Sequence, residues 1–194
     1  MNNTINIAVV GLGQIGIYLL NELNTKKKDI ELKTGKKINI VAISARNINK
    51  KRQFKINKKI FFKNPLEIFN KSKVDILFEA IGQSDGLSKK VVETALKKKI
   101  HVITPNKALI SKHGNELAKI AENNNVNLEF EASVAGGIPI LRSIKEGLAT
   151  NKISKVYGIL NGTSNYILSE MENSNQSFSD VLKKAQKLGY AEPG

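Results

Sequence analysis

A short apolar run rich in β-branched residues, Ile5-Asn6-Ile7-Ala8-Val9-Val10, breaks off into Gly11-Leu12-Gly13-Gln14-Ile15-Gly16, and no other stretch constrains the fold as tightly. The glycines are spaced G-x-G-x-x-G, and Ile15, Leu19 and Leu23 recur at helical spacing. The pattern predicts a strand, a tight turn and a helix start. Each glycine has a physical task there: Gly11 permits the sharp turn, Gly13 lets the backbone approach a pyrophosphate, and Gly16 lets the helix press against the strand. The helix N-terminus then offers unpaired N–H groups and a partial positive charge to phosphates. Such glycines also fill ordinary βα turns that bind nothing, so the spacing alone is a weak signal. Its place between a strand and a helix points to dinucleotide binding, with Gly11, Gly13, Gln14, Ile15 and Gly16 as the expected cofactor contacts.

The next apolar run, Ile38 to Ile43, reads as the second strand of a βαβ unit, reached through a polar, mobile connection from Lys26 to Lys37. Sites of this kind usually place an acid at the end of the second strand to bind the adenosine ribose. Here the strand ends Ser44-Ala45-Arg46-Asn47, without an acid. A carboxylate would repel a 2′-phosphate, whereas Arg46 can clasp one, with a second cation from Lys50, Lys51 or Arg52. NADP(H) is therefore favoured over NAD(H). The competing reading of Arg46 is a solvated loop cation.

Further strands are expected at Ile60-Phe61-Phe62, Val74 to Ile81, His101 to Ile103 and Val126 to Phe130, separated by helices. The run from Val74 is apolar almost throughout, as in a central parallel strand buried on both faces. Its exit at Gly82 falls beside the cofactor, because ligands lie beyond the carboxyl ends of parallel strands. Lys107, in the exit loop Thr104-Pro105-Asn106-Lys107, falls on the same edge. Glu79 lies inside the strand and needs partners there, but no role follows from the sequence. His101 reads as a strand residue and His113 as a helix-start residue, neither with chemistry assigned. The alternation predicts an α/β fold with a Rossmann-type doubly wound parallel sheet over residues 1–130. After Phe130 the texture changes: a small, flexible stretch leads to Pro139 and a helix from Ile140 to Leu148. A strand from Ile153 to Leu160, a polar turn over Asn161–Asn165, a helix from Tyr166 to Met171 and a last helix opened by Ser179 and closed by Gly189 follow.

Composition excludes several function classes. The 194 residues contain no cysteine, which removes disulfide scaffolds, thiolate metal sites and thiol catalysis. No apolar run reaches the roughly 20 residues that span a bilayer, so a cytoplasmic protein without membrane contact is expected. The net charge of +14 suggests a nucleic-acid binder, but the lysines are scattered in short clusters such as Lys26-Lys27-Lys28 and Lys97-Lys98-Lys99 without interleaved aromatics. Nucleic acid is not the expected partner; a positive field would instead help to attract a phosphorylated cofactor and a carboxylate substrate.

Five motifs in order, taken together, resemble one family. They are the glycine turn, Thr104-Pro105-Asn106-Lys107-Ala108-Leu109, Phe130 to Pro139, Gly158-Ile159-Leu160-Asn161-Gly162-Thr163-Ser164-Asn165-Tyr166 and Leu188-Gly189-Tyr190-Ala191-Glu192-Pro193. Over nearly its whole length the chain is similar to homoserine dehydrogenases, with Thr-Pro-Asn-Lys a mild departure from the commoner Thr-Ala-Asn-Lys. The resemblance implies reversible reduction of L-aspartate 4-semialdehyde to L-homoserine with NAD(P)H, toward threonine, methionine and isoleucine. It implies that Lys107 lies near substrate and nicotinamide as the catalytic candidate of this chain, and that Asn161, Gly162 and Thr163 border the substrate. Glu192 would receive the substrate ammonium, and Glu131 with the carbonyls of Val134, Gly136 and Ile138 would hold a sodium ion.

The resemblance also implies that residues 131–194 begin an α+β substrate and dimerisation domain, incomplete here, and that the full-length protein is a homodimer. Family members continue past Ala-Glu-Pro to an aspartate and a second lysine, the general acid, whereas this chain stops at Gly194. On that reading it is a fragment or a truncated product that binds nucleotide and turns over poorly. The alternatives are a non-catalytic NADP-binding or sensing module and a basic nucleic-acid-binding protein with an incidental Rossmann-like domain.

Overall fold

In the computed structural model, which describes residues 3–159 and 161–191, the first apolar run becomes the strand from which a sheet grows in both directions. β1 (Thr4–Val10) pairs with β2 (Lys37–Ser44) on one side and β4 (Ile76–Glu79) on the other. β3 (Phe61–Phe62), β5 (His101–Ile103) and β6 (Leu128–Glu129) complete the order β3-β2-β1-β4-β5-β6, with every pair parallel. This is the doubly wound arrangement expected from the alternation of strands and helices, reversing direction between β1 and β4.

The period of two along β1 sends its residues into two cores. Ile7 and Val9 join Leu12, Leu20, Ile38 and Ile43 on one face, under α1 (Gln14–Thr25). Ala8 and Val10 join Ala42, Leu77 and Val102 on the other. That second face is covered by α3 (Ile68–Lys71) through Ile68 and Phe69, by α4 (Leu87–Lys97) through Val91, Val92, Ala95 and Leu96, and by α5 (Lys107–Asn123) through Leu109, Leu117 and Ala121. Alternation alone would send Ile43 to the wrong face, since it is an odd number of residues from Ile38 and Ile40. The register shifts by one residue between Ile7↔Ile40 and Ala8↔Ala42, so Val41 is the extra residue of a bulge and Ile43 returns to the side of Ile38.

Several local expectations need correction. Of the helically spaced residues of α1, Leu19 and Leu23 pack against the Ile7 core beside the buried Gly16 and Leu20, while Ile15 is 55% exposed. The stretch after Lys26 is largely a helix, α2 (Lys27–Thr34), not a mobile connection. Its sequence lacks an apolar stripe, but Ile30 packs into the Ile7 core and the Glu31 carboxylate accepts the Ile38 N–H at 2.9 Å. Gly35, at φ +63°, ends it in the left-handed cap that glycine adopts without strain. Helix α5 begins at Lys107 instead of after an exit loop, because the Asn106 side chain accepts the Leu109 N–H at 3.1 Å and caps it. His113 therefore sits in mid-helix, not at a helix start.

Beyond the sheet come α6 (Glu131–Val134) and α7 (Ile140–Arg142), which runs into a π-helical turn, Ser143–Gly147, so the helix over Ile140 to Leu148 is realised in two geometries. The described residues divide into two compact units, one ending at Ala149 and one beginning at Thr150. In the second, residues 152–159 form no strand. Their apolar side chains, Ile153, Val156, Tyr157 and Ile159, face solvent, and a strand needs a ladder that no described residue offers it. Asn161 caps α8 (Gly162–Ser174), so the expected polar turn is already that helix's first turn. Ser177, not Ser179, caps α9 (Phe178–Lys187), and Gly189 closes it at φ +77°. Ile167, Val181, Ala185 and Ala191 form a small core between α8 and α9. No helix among the described residues is long and apolar enough to cross a membrane.

Candidate functional site

The glycine turn occupies the reversal point of the sheet, where β1, β2 and β4 end side by side. Gly11 adopts φ +97° and its N–H donates to the Ser44 carbonyl at 2.9 Å, locking the turn to the end of β2. A Cβ on Gly11 would lie 2.3 Å from the Ala80 carbonyl oxygen, and one on Gly16 would lie 1.9 Å from that of Gly11. Those two glycines are demanded by the fold itself. Gly13 is different: its φ is −79°, and no atom of the described residues lies within 4 Å of a Cβ placed there. It caps α1 without a side chain, leaving the first-turn N–H groups of Gln14, Ile15 and Gly16 open to an anion.

Beside the turn lies a cleft of about 480 Å³ walled by Val10–Gly13, the exit of β2 from Ser44 to Asn47, Ala80 and Ile81 after β4, and Leu87. Its charged wall residues are Arg46, Lys50, Arg52 and Lys63, and among the described residues no carboxylate lines it. Arg52 is committed elsewhere. Its guanidinium donates to the carbonyls of Leu12 (3.1 Å), Lys50 (3.0 Å) and Asn47 (2.8 Å), binding the 47–52 loop to the glycine turn. Arg46 and Lys50 are exposed on that loop with no carboxylate paired to them among the described residues. The cleft thus brings together Gly11, Gly13, Arg46 and Lys50; Gln14 and Ile15 face a neighbouring hollow that shares Gly13 and Lys50.

On the far side of β4, Gly82 takes φ +89° in an exposed bend flanked by Ile81 and Gln83, both on the cleft wall. Glu79, which the sequence left without a role, is fully buried beneath this bend. Its Oε1 accepts the Ile81 N–H and the Ser88 hydroxyl, each at 2.7 Å, and its Oε2 accepts the Thr104 hydroxyl at 2.6 Å. Lys107, the first residue of α5, is exposed and paired with no carboxylate among the described residues. A cation in a first helical turn opposes the helix dipole, so helix stability does not explain this lysine.

Below it, Asp85 takes hydrogen bonds from Ser84 at 2.6 Å and Lys112 at 2.8 Å and lies 2.9 Å from His113 Nε2. The Lys112 bond, with those of Ser84 and His113, holds the Asp85 carboxyl well below the usual carboxylate range. Lys89 bonds Glu116 at 2.8 Å and lowers that carboxyl too. Together these pairs clamp the β4–α4 loop and α4 to α5.

Glu131 lies after β6. Its two carboxylate oxygens accept the N–H groups of Leu141 at 2.9 Å and Arg142 at 2.8 Å, capping α7. The Ile138 carbonyl accepts the Ile140 N–H at 2.8 Å, while among the described residues no N–H reaches the carbonyls of Val134 or Gly136. Each engaged oxygen keeps a lone pair, so this all-oxygen set suits a hard monovalent cation. No cluster of three His, Asp or Glu side chains is placed to hold a metal among the described residues. In the second unit the Asn161 Oδ1 accepts the Ser164 N–H at 2.8 Å, and the Thr163 hydroxyl donates to the Tyr190 carbonyl. The rings of Tyr166 and Tyr190 meet edge to face, 4.9 Å between centroids, and hold this end of the unit together. Glu192 lies outside the described residues.

Two groups escaped the sequence reading. Lys63 follows the two-residue strand β3, and its only signal is being the first cation after that strand. Ser88, Thr104 and Asn106 looked like ordinary helix-start and loop residues; the signal was Glu79, a carboxylate in an apolar strand that had to find donors.

Residues 11–131 match the family profile described as the NAD binding domain of homoserine dehydrogenase, and residues 139–194 match the homoserine dehydrogenase profile. Homoserine dehydrogenase from Neisseria gonorrhoeae is 42% identical over 97% of this chain and 43% of its own length, and that from Bacillus subtilis 36% over 97% and 43%. The crystal structure of a homoserine dehydrogenase from Thiobacillus denitrificans superposes with a TM-score of 0.78 at 38% identity, covering 98% of this chain and 44% of that one. The chain spans less than half the length of these relatives. With its sheet order, its glycine turn and both profiles agreeing, the chain belongs to the homoserine dehydrogenase family.

Proposed function

We propose that this chain carries the cofactor-binding part of an NADP-linked, cytoplasmic homoserine dehydrogenase interconverting L-aspartate 4-semialdehyde and L-homoserine, in the route to threonine, methionine and isoleucine. The observation that carries the reading is the cleft beside Gly13, where an unhindered glycine and uncapped helix N–H groups adjoin a wall with four cations and, among the described residues, no carboxylate. Gly13 and the first turn of α1 would hold the cofactor's pyrophosphate. Arg46 and Lys50 would hold its 2′-phosphate, with Lys63 adding charge. Gly82 and Lys107, beyond the ends of β4 and β5, would receive the nicotinamide end.

When bound, the cofactor would supply the hydride that the aldehyde carbon takes up. Lys107, paired with no carboxylate among the described residues, would stabilise the negative charge on the aldehyde oxygen electrostatically until that oxygen takes up a proton. Asn161, Gly162 and Thr163 with Glu192 are the substrate side of the reading. The Glu131, Val134, Gly136 and Ile138 oxygens are the sodium site. The whole enzyme is a homodimer on the same reading.

Separate titrations of NADPH and of L-homoserine test it, read by NADPH fluorescence and by calorimetry. Binding of both supports the dehydrogenase reading. Binding of NADPH without homoserine supports a nucleotide-sensing module, and binding of neither overturns the proposal.

A further inference from the structure

Glu79 is the one charged side chain that is fully buried among the described residues, and no step above uses it. Every donor it meets is neutral. The hydrogens run in one direction. The Asn106 N–H donates to Thr104 Oγ1 at 3.1 Å, and its side-chain amide donates to Ser88 Oγ at 3.0 Å and to the Gln83 carbonyl at 2.9 Å. Each hydroxyl, having accepted from Asn106, gives its own hydrogen to Glu79. Asn106 meanwhile caps α5 with its remaining oxygen. One carboxylate therefore ties the Ile81–Gln83 bend, the start of α4, the end of β5 and the start of α5 into a single rigid knot.

A buried carboxylate without a cation is a poor way to stabilise a core, since apolar side chains of similar volume do at least as well. What it supplies is geometry. Two of the four segments it joins carry Gly82 and Lys107. We infer that Glu79 is a positioning residue: through Thr104 and Asn106 it sets the first turn of α5, and hence Lys107, against the Gly82 bend that receives the nicotinamide end. This inference rests on the cofactor reading proposed above.

The test compares two probes on the 194-residue chain: NADPH, and 2′,5′-ADP, which carries only the adenosine end. Glu79→Gln puts an NH₂ where an acceptor is required, so one hydroxyl loses its partner and the knot loosens. The expected result is about a tenfold rise in the NADPH Kd with the 2′,5′-ADP Kd unchanged within about twofold. Equal weakening of both probes, or of neither, overturns the inference, because a merely structural role cannot tell the two ends apart. Should Glu79→Gln fail to fold by circular dichroism, Thr104→Val and Ser88→Ala each remove one strut, and the same split is expected at about threefold. A wild-type chain that binds neither probe removes the cofactor reading and this inference with it. Wild-type binding with an unchanged probe ratio in all variants removes this inference alone.

Discussion

Alanine substitutions at the three glycines of the turn should have effects of two different kinds. A Cβ on residue 16 would stand 1.9 Å from the Gly11 carbonyl oxygen, where ordinary contact begins at 3.4 Å, so helix and turn must part by about 1.5 Å. Overpacking of backbone against backbone costs ~3 kcal/mol or more, which lowers the Tm of a chain this size by roughly 6–12 °C. Gly11→Ala combines a 2.3 Å approach to Ala80 with φ +97°, which alone costs a non-glycine residue about 1–2 kcal/mol, so its Tm should fall at least as far. Gly13→Ala meets no atom within 4 Å at an ordinary φ. The weaker helix cap, up to ~1 kcal/mol, is offset by a similar loss of unfolded-state entropy, leaving Tm within about 2 °C. On the proposed cofactor placement its methyl takes the space of the pyrophosphate, and losing one charge-assisted hydrogen bond of ~1.5–3 kcal/mol should raise the NADPH Kd about 10- to 150-fold. Differential scanning fluorimetry gives the first quantity and fluorescence titration the second. A Gly13→Ala chain that binds NADPH like wild type, or a Gly16→Ala chain that melts like wild type, would refute the reasoning.

Arg46→Ala should raise the NADPH Kd at least about tenfold and leave NADH unchanged, measured by parallel titrations. Lys107→Gln should raise Tm by about 1–2 °C, since it removes a cation from a helix N-terminus, while homoserine-dependent reduction of NADP⁺ by the enzyme containing this segment falls. Asp85 has its carboxyl held low in the folded chain, chiefly by Lys112. Its contribution is therefore complete above the ordinary carboxylate pKa of about 4 and is lost as pH falls below it. Asp85→Asn should melt lower than wild type at pH 7, with the gap closing toward pH 2.5 in a Tm series. Exchanging sodium for choline at constant ionic strength should lower Tm, and Glu131→Gln should abolish that dependence.

The sheet was legible because its signals are local. Gly11 and Gly16 announce a turn that must approach its neighbours, and the run into Glu79 announces a strand buried on both faces. Helix starts were read late at three places, Asn106, Asn161 and Ser177, for one physical reason. A capping side chain satisfies backbone N–H groups with the same chemistry that makes a loop, so cap and loop look alike in sequence. Helix α2 escaped notice because its stability comes from Ile30 and Glu31 reaching tertiary partners, not from a periodic stripe. The bulge at Val41 reverses side-chain parity within β2, which no count of alternation reveals. In residues 152–159 the pattern fits a strand, but a strand needs a paired neighbour, and none is found among the described residues. At the site, Arg46 and Lys50 could be placed from the end of β2, whereas Arg52 could not be separated from them. Only the fold shows its guanidinium spent on the carbonyls of Leu12, Asn47 and Lys50.

The most direct measurement is calorimetric titration of the wild-type chain with NADPH and with NADH, at low and at raised salt. A cleft walled by Arg46, Lys50 and Lys63, with no carboxylate among the described residues, should bind NADPH at least about tenfold more tightly, the preference shrinking as salt screens the 2′-phosphate. Equal or tighter binding of NADH, or a preference indifferent to salt, would contradict the placement of the cofactor on which everything above depends.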